Sequence, residues 1–112
     1  MISGIYFVRF AAGGNDFGEG LVVIRDGNVN GGDETYLYRG RLDVYGEDVR
    51  AHLEIKHYRG SLNSVMGPLQ EFTLQLSGKA SGDRFEVSGG IPDMPSSPRI
   101  IIHGNKVSEL FE

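Results

Sequence analysis

The chain has 112 residues, no cysteine, seventeen glycines and a formal net charge of −4. That length suits one domain, residues 1–112, around a single core, and the lack of cysteine excludes disulfides, thiolate metal sites and thiol nucleophiles. No apolar run approaches the ~18 residues of a membrane helix, and the basic pairs Arg39/Arg41 and His57/Arg59 form no stripe for a phosphate backbone, so neither membrane insertion nor direct nucleic-acid binding is expected.

Period-two alternation dominates from the start. Met1 to Phe10 carries an arginine and alternates too strongly for a secretory leader, which gives a cytoplasmic expectation. Within it, GIYFVRF reads as a strand with Ile5 and Phe7 opposed to Tyr6, Val8 and Phe10. The run Leu21 to Ile24 is short, largely β-branched and closed by Asp26-Gly27, a hairpin signal because both central residues of a type I′ turn need positive φ.

The stretch DGNVNGGDETYLYRG then raises the question of a phosphate loop, a metal site or a turn. A Walker loop ends in Gly-Lys-Ser/Thr and a dinucleotide loop leads into a helix, whereas here a strand follows. Asp26, Asp33 and Glu34 lack the alternation of a calcium loop. Gly27, Gly31, Gly32 and Asp33 therefore read as a structural turn motif, the glycines supplying positive φ and close backbone approach and Asp33 bonding local N–H groups.

VRAHLEIKHYR is the clearest half-buried strand, with Val49, Ala51, Leu53, Ile55 and His57 on one face. A hairpin follows, Phe72, Leu74 and Leu76 inward on one arm and Phe85 and Val87 on the other, joined near Ser81-Gly82-Asp83. PDMPSSP interrupts with three prolines, RIIIHG is a last strand, and NKVSELFE reads equally as a short helix or a closing strand. Apart from that tail, only a stretch near Ser61 to Gly67 suggests a helix.

Seven or eight short strands with at most one short helix predict an all-β domain, a small antiparallel up-and-down barrel of the lipocalin or calycin kind. Such a barrel either fills its interior or holds one small ligand, and the residues expected to line it are Ile5, Phe7, Leu53, Ile55, His57, Phe72, Leu74 and Phe85. His57 is then either a core histidine satisfied by a hydrogen bond or a polar handle for a ligand. His52 and His57 lie five apart and face opposite sides of one strand, which excludes a paired zinc site. No serine has a nucleophile-elbow context and no acid pair has catalytic spacing, so no catalytic residue, metal or cofactor is assigned. An enzyme using His57 or His103 as base ranks last.

The ordered set Gly4-x-Tyr6, Gly18-x-Gly20, Asp26-Gly27, Gly31-Gly32-Asp33 and Tyr38-x-Gly40, with a strand ending His-Tyr-Arg and a later SVMGPLQEFTLQLSG, resembles the GrlR family of small bacterial regulators. The resemblance implies a calycin-type barrel, commonly dimeric, that negatively regulates type III secretion by binding a transcriptional activator protein rather than DNA. It also implies an interior able to hold an apolar or lipid-like ligand. The family's acidic surface run falls here on DVYGED, making Asp43, Tyr45, Glu47 and Asp48 the candidate partner-binding residues. The expected function is thus a non-enzymatic, homodimeric regulator acting by protein–protein contact, with a carrier or sensor of a small apolar ligand as the alternative.

Overall fold

Eight antiparallel strands close into one barrel in the computed structural model, which describes residues 3–12, 15–60 and 70–111. They are β1 (Gly4–Ala12), β2 (Asn15–Arg25), β3 (Asn28–Gly32), β4 (Tyr36–Tyr45), β5 (Asp48–His57), β6 (Glu71–Ser81), β7 (Arg84–Gly90) and β8 (Ile100–Ser108). Each pairs with its neighbour in sequence, and β8 returns to β1. This is the expected up-and-down barrel, and closure leaves no free sheet edge. NKVSELFE resolves as strand through Ser108, whereas the helix expected over Ser61 to Gly67 lies outside the described residues.

Antiparallel order gives the two ends different connections. One end carries three two-residue hairpins, Asp26-Gly27, Gly46-Glu47 and Gly82-Asp83. Asp26 and Gly27 both have positive φ, 51° and 86°, as a type I′ turn demands, while in the other two hairpins only the leading glycine does, at 66° and 60°. Each hairpin is tied to the next strand along: Leu42 N–H donates to Gly27 O at 2.7 Å, Ala80 N–H to Glu47 O at 2.8 Å and Lys106 N–H to Asp83 O at 2.8 Å. The opposite end carries the longer connections, including the proline-rich segment between β7 and β8.

The interior is built by alternation. On β5, Val49, Ala51, Leu53 and Ile55 are buried while Arg50, His52, Glu54 and Lys56 face solvent. Leu74 and Leu76 meet them from β6, and Phe85 and Val87 complete the wall from β7. Phe85 packs its ring 5.7 Å from that of Tyr6, the most deeply buried aromatic at 0% exposure. Burying side chains of this size contributes about 1.5–3 kcal/mol each.

β1 corrects the expected phase. Tyr6 and Val8 enter the core, and Ile5 and Phe7 sit half-buried on the outer face. Both faces of GIYFVRF are apolar, so period two alone does not say which is inside; the pairing of Tyr6 with Val22 and of Val8 with Gly20 sets it. Gly31 and Gly32 are also corrected in part: they lie within β3 without positive φ. Their requirement is space, since a Cβ on Gly31 would stand 2.1 Å from Leu21 O, and one on Gly32 2.5 Å from Tyr36 O.

Candidate interaction site

The barrel interior is almost filled. Its central cavity is about 30 Å³, lined by apolar side chains from Val8, Leu42, Ala51 and Leu53 together with Phe10 and the Tyr38 ring. That is room for about one water-sized body, far below the ~300 Å³ at which small-molecule pockets begin. Of the residues expected to line a ligand cavity, Leu53 and Phe85 border this space. Ile55 and Leu74 are packed core and Phe72 packs against it. Ile5 and Phe7 are on the other face.

His57 sits at the rim, where its Nε2 lies 2.8 Å from Gly60 O and its ring meets Tyr36 edge-on at 5.5 Å. Beside it, Asp33 organises the β3–β4 connection. Its Oδ1 accepts from Thr35 N–H at 2.8 Å and Tyr36 N–H at 2.7 Å, and Oδ2 accepts from the Tyr38 hydroxyl. The Tyr58 hydroxyl donates to the Asp33 carbonyl at 2.6 Å, strapping the end of β5 to this turn. Oδ1 thus bonds the local N–H groups, while Oδ2 and the carbonyl take two tyrosine hydroxyls, so each Asp33 oxygen is engaged within the fold. Burial, then the adjacent carboxylate, holds the Tyr38 phenol far above its ordinary pKa. The Tyr36 hydroxyl is buried without a hydrogen-bond partner among the described residues.

Among the described residues no three His, Asp or Glu side chains are placed to hold a metal ion. His52 faces outward against Gln75, and His103 lies 3.5 Å from Glu86 on the outer face. No helix of the described chain is long and apolar enough to cross a membrane.

Two exterior features remain. The first is the β4–β5 hairpin, where Tyr45 is 65% exposed and leads into Gly46-Glu47. Asp43 pairs with Arg41 at 3.2 Å, and Asp48 with Lys79 across to β6. The hydrogen bond from Lys79 holds the Asp48 carboxyl below its ordinary pKa. Of the three acids, Glu47 alone makes no ion pair among the described residues, while its carbonyl accepts from Ala80 N–H. The tip thus shows one aromatic ring and, on a fixed backbone, one carboxylate that adds to the field on Lys79 without an ion pair of its own among the described residues.

The second feature escaped the sequence reading. On the outer face, Phe7 stands opposite Leu21, Ile5 opposite Val23, and Leu21 opposite Gly32, which in turn pairs with Leu37. Leu21 is 52% exposed and Leu37 37% exposed. Gly32 carries no side chain, so this apolar surface runs level from β1 to β4. The outer face of β5, by contrast, presents Arg50, His52, Glu54 and Lys56. Connected apolar side chains on a sheet face make this a candidate interaction surface. Its signal in the sequence was that GIYFVRF and LVVI are apolar on both faces, more than a one-sided strand needs.

The family model described as the T3SS negative regulator GrlR matches residues 1–110. No curated protein matches the chain.

Proposed function

The chain belongs to the GrlR family of type III secretion negative regulators, and on that premise we propose that it acts without catalysis, in the cytoplasm, by binding a transcriptional activator protein. The observation that carries this reading is the β4–β5 tip, with Tyr45 exposed and Glu47 in no ion pair among the described residues, on a backbone held by Ala80. A rigid aromatic beside such a carboxylate suits a partner surface bearing arginine or lysine, because the ring supplies contact area at low entropic cost and the carboxylate takes charge-assisted hydrogen bonds. Asp43 and Asp48 contribute less, being neutralised by Arg41 and Lys79.

Titration calorimetry with the activator of the cognate secretion locus tests it. Saturable binding by the wild type that is lost in Tyr45→Ala/Glu47→Lys is the expected result; binding of equal strength by that variant would sink the tip as the contact.

A second reading concerns assembly. The apolar face of Ile5, Phe7, Leu21, Val23 and Leu37 supports a homodimer in which this surface meets its own copy. The tip and this face are separate surfaces, so one chain can pair with itself and still present Tyr45 and Glu47. The carrier alternative asks more of the molecule, since a 30 Å³ cavity has to widen about tenfold before a small apolar ligand fits.

A further inference from the structure

The segment PDMPSSP does more than interrupt the sheet. It makes two successive turns, Met94 N–H donating to Ile91 O at 3.0 Å and Ser97 N–H to Met94 O at 2.9 Å. The folded segment stands beside the outer face of β6 and β7, and a groove of about 380 Å³ opens between them. That volume lies in the small-molecule range, unlike the barrel interior.

The lining has a definite chemistry. Gln75, Ser88 and Ser97 offer amide and hydroxyl donors, Ile91 and Met94 an apolar wall, and Arg99 the one charged group. Arg9, Arg39 and Arg41 each face a carboxylate. Arg99 instead donates from Nη2 to Ser88 Oγ at 2.9 Å, which fixes the guanidinium and leaves its other N–H groups unspent on any acid of the described chain. Asp93 belongs to the same segment but does not line the groove.

We propose that this groove binds a small organic anion, its carboxylate or phosphate head on Arg99, Ser88 and Ser97 and a short apolar body against Ile91 and Met94. A guanidinium anchored on a hydroxyl and lacking a carboxylate is the group best suited to a planar or tetrahedral oxyanion. The site lies at the opposite end of the barrel from the β4–β5 tip, so its occupancy is separable from partner binding.

The test is amide chemical-shift titration of the full chain with hexanoate and with hexyl phosphate, hexanol serving as the uncharged match. Saturable shifts at Ser88, Gly89, Ser97 and Arg99 with either anion, absent with hexanol and weakened about tenfold or more in Arg99→Gln, are expected. Whichever anion binds more tightly names the head group. Arg99→Lys keeps the charge without the fork and is expected to fall between the two. The proposal is overturned if neither anion gives saturable shifts, if hexanol matches them, or if Arg99→Gln titrates like wild type while its spectrum shows the barrel intact.

Discussion

The Tyr38 hydroxyl donates to the same Asp33 carboxylate that receives the backbone N–H groups of Thr35 and Tyr36. One side chain thus joins a buried ring of β4 to the turn that starts β4. Tyr38→Phe removes a hydrogen bond to a charged acceptor and is expected to cost about 1.5–3 kcal/mol. Tyr36→Phe removes a hydroxyl that is buried with no partner among the described residues, and is expected to leave stability unchanged or raise it. Urea melts of both variants check the contrast; equal losses would remove the distinction.

The same pair sets a response to alkali. Tyr38 ionises ordinarily at 10.0 and its pKa is raised in the fold, chiefly by burial. A phenol that holds its proton more tightly folded than unfolded stabilises fully below the unfolded value. That contribution is lost as pH rises from there towards the folded value, because the unfolded chain releases the proton first. The midpoint of thermal unfolding is therefore expected to fall above pH ~10, and to fall less steeply in Tyr38→Phe.

Two glycines of similar appearance in the sequence are expected to respond oppositely. A Cβ at Gly31 meets the Leu21 carbonyl at 2.1 Å, while one at Gly18 meets nothing within 4 Å. Backbone cannot move aside as a flexible side chain can, so Gly31→Ala is expected to cost about 1–3 kcal/mol or more. Gly18→Ala is expected to stay within about 0.5 kcal/mol. Parallel denaturant curves decide.

The sequence made the barrel legible because most of its strands are one-sided. VRAHLEIKH alternates apolar and charged residues so regularly that Leu53 and Ile55 could be placed inside without coordinates. Asp26-Gly27 announced its turn through residues that tolerate positive φ. GIYFVRF failed for the opposite reason, both faces being apolar, and Ile5 and Phe7 were assigned inward when cross-strand pairing puts Tyr6 and Val8 there. The acids of DVYGED were legible as a group, but only geometry separates Glu47 from Asp43 and Asp48, whose partners lie on the same strand and on β6. The Arg99 groove was illegible, since it depends on a loop meeting strands distant in sequence.

A nearly filled interior predicts that the wild type takes no apolar guest. Leu53→Ala enlarges the 30 Å³ space that Leu53 already borders. The variant is expected to lose about 2–5 kcal/mol and to gain a dry cavity that binds xenon. Xenon-induced shifts of core methyl groups in the variant alone fit this account; saturable shifts in the wild type contradict it.

The outer apolar face gives the last prediction. Phe7 and Leu21 face each other across β1 and β2, and Leu37 continues their row beyond Gly32. If this surface joins two copies, charges placed at Leu21 and Leu37 meet charges of the same sign near the twofold axis, where desolvation and repulsion act together. Leu21→Asp/Leu37→Asp is expected to sediment as a monomer under conditions where wild type is a dimer. Both side chains are already partly in water, at 52% and 37% exposure, so the monomeric fold is expected to survive. The mixed-charge face of β5 supplies the control: Arg50→Asp/Lys56→Asp alters charge on another side of the barrel and is expected to leave the dimer in place. Dissociation by the control variant and not by the first would move the interface to β5.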